Sequence, residues 1–126
     1  MKKQIEQVTL FHKLYGVPIS DKPCVPDKKR RKLRIRLLKE ELKEFKRASK
    51  KKDLIECADA LADLLYVLLG TVLEYGYQNV FEKMFDEVHL SNLSKLDYNN
   101  EPILRSDGKV IKGPRYSKPN LKKFLN

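Results

Sequence analysis

Several carboxylates in this chain stand where a soluble helix would carry leucine. On a helical wheel of about 100° per residue with Leu38 at the origin, Leu42, Phe45 and Leu37 fall at about 40°, about 340° and about 260°, and Glu41 falls inside their arc at about 300°. Glu44 lies at the edge of that arc, at about 240°, and Glu40 points outward at about 200°. Downstream, residues 60–69 read A-L-A-D-L-L-Y-V-L-L, with Asp63 their single charge. Measured from Asp59, Asp63 lies at about 40° and Glu56 at about 60°, so one stripe of acids climbs an apolar segment. An isolated buried carboxylate costs about several kcal/mol, so each must be protonated, ion-paired or bound to a metal. An all-oxygen donor set suits a hard divalent ion, Mg²⁺ with Mn²⁺ as an alternative. Two bland roles compete: Glu56, three residues after Asp53, fits a capping box, and the other acids could pair with nearby lysines and arginines.

Two helices must carry these acids. Apolar spacing and caps predict helices over 3–15, from the Asp27 cap to 49, over 53–74 and over 78–93. The Lys50-Lys51-Lys52 connection is too short for anything but an antiparallel pair. Counting outward from it sets Glu44 opposite Glu56 and Asp59, and Glu41 opposite Asp59 and Asp63. Residues 16–27, with Pro18, Pro23 and Pro26, form an irregular connector. Beyond Leu96 the turn signals multiply, and Ile103-Leu104 and Val110-Ile111 flank Asp107-Gly108 as a short hairpin would. The expected architecture is all-α: a four-helix bundle domain over 1–96, with a turn-rich tail over 97–126 packing on the same domain.

Composition narrows the function. The chain has 126 residues, a formal charge of +10 and a pI near 9.6, which favours polyanionic partners. Cys24 and Cys57 lack the spacing of a zinc site or disulfide framework. Neither a signal peptide nor a membrane span is legible, so a cytoplasmic protein with no membrane partner is expected. The run K-K-R-R-K-L-R-I-R at 28–36 reads first as a solvated face, with Arg34 and Arg36 nearest the acids and able to receive phosphate. Polynucleotide binding is not expected from it, because no stacking platform, helix-turn-helix or zinc module accompanies it.

Three motifs in order resemble the all-α nucleoside triphosphate pyrophosphohydrolase superfamily, which includes MazG, dimeric dUTPases and phosphoribosyl-ATP pyrophosphohydrolase. Its E-E-x-x-E signature stands here as Glu40-Glu41-Leu-Lys-Glu44, and its E-x-x-D as Glu56-Cys-Ala-Asp59. The other two motifs are Glu87-Val-His89-Leu-Ser91-Asn92-Leu-Ser94-Lys95-Leu96 and Gly108-Lys109-Val-Ile-Lys112-Gly113-Pro114. The closest likeness is to small MazG-like or phosphoribosyl-ATP pyrophosphohydrolase-like proteins. The interval from Glu44 to Glu56 is short for the signature, and either Glu56–Asp59 or Asp59–Asp63 could complete the metal site.

The resemblance implies a MazG-like bundle whose carboxylates Glu41, Glu44, Glu56, Asp59 and Asp63 hold Mg²⁺, with Glu40 just outside the direct ligands. It implies hydrolysis of the α–β phosphoanhydride of a (d)NTP or related nucleotide to monophosphate and pyrophosphate. Glu41 or Glu44, if unligated, could orient or deprotonate the attacking water. No P-loop glycine motif is present, so metal and side chains would hold the phosphates. Asn92 and Lys95 are expected to face the nucleotide, Lys109 and Lys112 to close over its phosphates, and Ser91 and Asn92 could equally be ordinary helix-end residues. A homodimer or homotetramer is expected, since helix 53–74 is apolar almost all round. The competing functions are a small basic nucleic-acid-binding protein and a family member that binds nucleotide without hydrolysing it.

Overall fold

The computed structural model describes residues 1–125. Its helices are α1 (Lys2–Tyr15), α2 (Lys28–Lys51), α3 (Leu54–Glu74) and α4 (Phe81–Leu93). The architecture is all-α, as expected. Gly16 ends α1 in the left-handed conformation, at φ 66°. Asp27 caps α2 by accepting the Arg30 N–H at 2.9 Å, and Asp53 caps α3 by accepting the amides of Ile55 and Glu56.

Between α2 and α3 only Lys52 and Asp53 are non-helical, a tighter connection than the lysine run suggests. Lys52 makes the reversal at φ 57°, and the Asp53 N–H returns to the Ala48 carbonyl at 3.1 Å. The two helices run antiparallel. α2 and α1 both pack on α3, burying Ile5 and Val8 of α1, Ala48 of α2, and Ala60, Leu69, Val72 and Leu73 of α3. The proline-rich connector is tied to the end of α3: Ser20 N–H reaches the Leu73 carbonyl and Cys24 N–H that of Tyr75, each at 3.0 Å. Gly76 turns the chain at φ 71°, where a Cβ would collide with the Lys22 carbonyl.

The fourth helix starts at Phe81 rather than 78, because the reversal at Gly76 continues as a turn and no side chain caps the first amides. The tail hairpin shrinks to one antiparallel bridge, Leu104↔Val110, around a turn closed by Gly108 N–H on the Arg105 carbonyl at 2.8 Å. Pro102 before it and Gly113-Pro114 after it deny a ladder its donors and regularity. A 3₁₀ turn, Lys122–Phe124, follows. The chain divides into two compact units, Met1–Asn79 with α1–α3, and the residues from Val80 onward with α4 and the tail. Among the described residues no helix is long and apolar enough to cross a membrane.

Candidate active site

The α2–α3 seam carries charge at both ends, and the ends are treated differently. At the end far from the connection, Glu74 of α3 is 1% exposed. Its Oε1 accepts Arg30 Nε at 2.7 Å, and its Oε2 lies 3.1 Å from Arg34 Nη1. The second contact is an ion pair whose geometry falls short of a well-aligned hydrogen bond. Arg34, 5% exposed, also donates to the Val67 carbonyl at 2.7 Å and to Thr71 Oγ1 at 3.1 Å. The hydrogen bond to Glu74 raises the pKa of the more exposed Arg30, whereas burial lowers that of Arg34 despite the same partner.

Room for Arg34 comes from Gly70. A Cβ there would stand 2.6 Å from Arg34 Nη2 and 2.8 Å from Nε2 of the buried His12, whose Nδ1 lies 3.0 Å from the Pro18 carbonyl. His12 is thus a packed core histidine, and burial lowers its pKa.

At the end near the connection, acids face acids. Glu41 is half-buried, and its Oε2 is buried without a hydrogen-bond partner. Its pKa is raised, first by desolvation and then by the charges of Glu44, Asp63, Glu40 and Asp59. Those charges come from both helices, so the seam brings Glu41 into the field of Glu44, Asp59 and Asp63. Glu56 belongs to the neighbouring cleft of about 330 Å³, where it lines the walls with Glu44, Arg47, Lys51 and Asp53. The capping box is only half made: Asp53 takes the Glu56 amide, but Asp53's own N–H goes to Ala48 and leaves the Glu56 side chain uncommitted.

The bland alternative for these acids is unmet. Among the described residues, no lysine or arginine forms an ion pair with Glu41, Glu44, Glu56, Asp59 or Asp63. A divalent cation fits this donor set, which is all oxygen, includes an orphaned buried oxygen at Glu41 and carries uncompensated negative charge. As the side chains stand, no three acids, histidines or cysteines among the described residues converge closely enough to hold an ion. Glu44, Asp59 and Asp63 are solvent-exposed, so closing on one requires rotation of their side chains.

The remaining expected residues are placed as follows. Arg34 is buried and committed to Glu74, Thr71 and the Val67 carbonyl. Arg36, two residues on and so about 200° round the helix, is exposed. Glu40 is exposed beside Glu41. In the second unit, Ser91 Oγ donates to the Ser117 carbonyl at 2.7 Å and Ser94 Oγ accepts the Ser117 N–H at 2.8 Å. The two serines of the S-N-x-S-K segment therefore strap the tail to α4. Asn92 is exposed and Lys95 half-buried. Lys112 lies over the Tyr116 ring at 4.7 Å, Lys109 is exposed, and Arg115 is tied to the Asp97 carbonyl and Asn100 Oδ1.

Sequence reasoning missed Glu74. The signal was present, because the stripe through Asp59 and Asp63 continues by the same arithmetic to Glu74, at about 60°.

Residues 8–92 match the family model for phosphoribosyl-ATP pyrophosphohydrolase (PRA-PH). That span covers the far-end ion pair, the near-end acids and α4. Comparison with curated proteins gave no match.

Proposed function

The chain belongs to the phosphoribosyl-ATP pyrophosphohydrolase family, and from that premise we propose that it is a Mg²⁺-dependent pyrophosphohydrolase of a (d)NTP or related nucleotide. Membership carries the coarser statement, a hydrolase acting on nucleotides. The finer reading rests on one observation: at the far end of the α2–α3 seam Arg30 and Arg34 pair with Glu74, whereas at the near end no lysine or arginine among the described residues pairs with the acids.

Glu41, Glu44, Asp59 and Asp63 would hold the ion, with Glu56 reaching it from the adjoining cleft and Glu40 outside the ligands. Bound there, Mg²⁺ would offset phosphate charge and lower the pKa of a water molecule. Whichever of Glu41 and Glu44 is left unligated would orient or deprotonate the attacking water. Cleavage between the α and β phosphorus atoms then yields monophosphate and pyrophosphate. Asn92, Lys95, Lys109 and Lys112 are proposed as nucleotide contacts on side-chain chemistry: an amide for base or ribose, ammonium groups for phosphate.

We place the active unit at two or more copies. Leu61, Leu65 and Leu68 of α3 are 40–49% exposed, and Leu10 and Leu14 of α1 more so. Apolar surface of that extent favours burial against another copy. The function is tested by incubating the protein with a panel of (d)NTPs and Mg²⁺ and separating the products. Monophosphate with pyrophosphate supports it; diphosphate with orthophosphate, or no turnover of any nucleotide, overturns it.

A further inference from the structure

Helix α2 holds thirteen of the chain's 27 lysines and arginines but three of its 17 acids, a net +10. That equals the charge of the whole protein, so the remaining residues are together neutral. The excess is also confined to one side of the helix. Lys28, Lys32, Lys39, Lys43, Lys46 and Lys50 fall within an arc of about 60° on the wheel. All six are exposed, and none forms an ion pair among the described residues. The buried positions Arg34 and Ala48 lie on the opposite side. The line runs from Lys28 to Lys50, about 33 Å at about 1.5 Å per residue, with neighbouring charges one to two turns apart. Within residues 28–36 alone this order is invisible, because Arg30 and Arg34 of that run turn inward to Glu74.

We propose that the outer face of α2 binds the phosphate backbone of a polynucleotide, independently of the bases. Closely spaced like charges with no internal partner are costly to hold together, and a polyanion of regular spacing relieves all of them at once, with release of its own counterions. A second copy cannot cover this face across a two-fold axis without setting the line of lysines against itself. A lipid surface is the poorer partner, because a surface-bound helix sinks a broad apolar face into the acyl boundary, and among the described residues α2 leaves only Ile35 and Leu42 of its large apolar side chains exposed.

The test is anisotropy of a fluorescein-labelled DNA duplex, titrated with the full chain without Mg²⁺ or free nucleotide. Binding is thereby read apart from hydrolysis, and a failure of either reading leaves the other standing. Six contacts predict a slope of log K against log salt of about −5, or roughly a thousandfold loss between about 50 and about 200 mM salt. The variant K32Q/K39Q/K43Q/K46Q, its folding checked by circular dichroism, leaves two contacts, a slope of about −2 and a loss of roughly tenfold. A control variant of equal net charge, K2Q/K3Q/K13Q/K22Q, should bind with the parent's slope. No binding at the lower salt, parental binding by the α2 variant, an equal loss in the control, or tighter binding to phosphatidylserine vesicles than to DNA would each overturn the proposal.

Discussion

Two isosteric substitutions at opposite ends of one helix pair should have opposite effects on stability. Glu74→Gln keeps the side-chain volume but removes the charge that compensates Arg34 and Arg30. Arg30 can turn its guanidinium to water, since its side chain is 27% exposed. Arg34 cannot: its side chain is 7% exposed and anchored to Val67 and Thr71. Leaving a buried cation without its counter-charge costs about 3–5 kcal/mol. The two neutral hydrogen bonds that Arg34 retains place the expected loss near the lower figure, about 3 kcal/mol. Glu41→Gln removes a charge that faces only other acids, and should leave the metal-free protein as stable as the parent or more so. Urea unfolding followed by far-ultraviolet circular dichroism reads both, provided that the m-values match. A Glu74→Gln cost below about 1 kcal/mol, or a Glu41→Gln cost approaching that of Glu74→Gln, would refute the contrast between the two ends.

Other outcomes follow from the same geometry. Gly70→Ala should destabilise by about 1–3 kcal/mol, because its Cβ would crowd both Arg34 and His12, two buried side chains; the same unfolding assay checks it. The depressed pKa of His12 means that the unfolded chain binds a proton the native chain refuses as the pH falls through about 6.5. Its contribution is therefore full above that pH and lost progressively below it. Glu41, with a raised pKa, works in the opposite sense, so the slope should be read as the difference in urea midpoint between parent and His12→Asn at neutral and mildly acid pH. That difference should shrink on acidification as the parent loses what the variant never had. Light scattering at micromolar protein should give at least twice the chain mass of 14.8 kDa, and a fully active species at the single-chain mass would contradict the oligomer.

Periodicity and caps made the helices legible, because each boundary has a chemical marker. Gly16 stops α1, Asp27 starts α2 and Asp53 starts α3, all short-range effects written in one or two residues. The start of α4 was harder, since Val80 offers no capping side chain. The tail hairpin was overestimated because strand pairing depends on donors that the flanking prolines remove. For the site, the wheel brought out the acids of α2 and α3 because a carboxylate among leucines is conspicuous. It said little about Arg30 and Arg34, because a basic run looks solvated until the partner that turns two members inward is known. That partner, Glu74, lies far along the chain, and only the antiparallel seam brings it to them. The serines at 91 and 94 show the same limit: their bonds to Ser117 depend on where the tail returns.

We propose that the near end of the α2–α3 seam, where no lysine or arginine among the described residues pairs with the acids, receives a divalent cation. Mn²⁺ titration followed by electron paramagnetic resonance tests it directly, because free and bound Mn²⁺ are distinguished without any turnover. The parent should bind Mn²⁺ in competition with Mg²⁺, and Glu44→Gln and Asp63→Asn should lose that binding while keeping the parent's circular dichroism. Parental Mn²⁺ affinity in both variants, or no Mn²⁺ binding by the parent, would contradict the account.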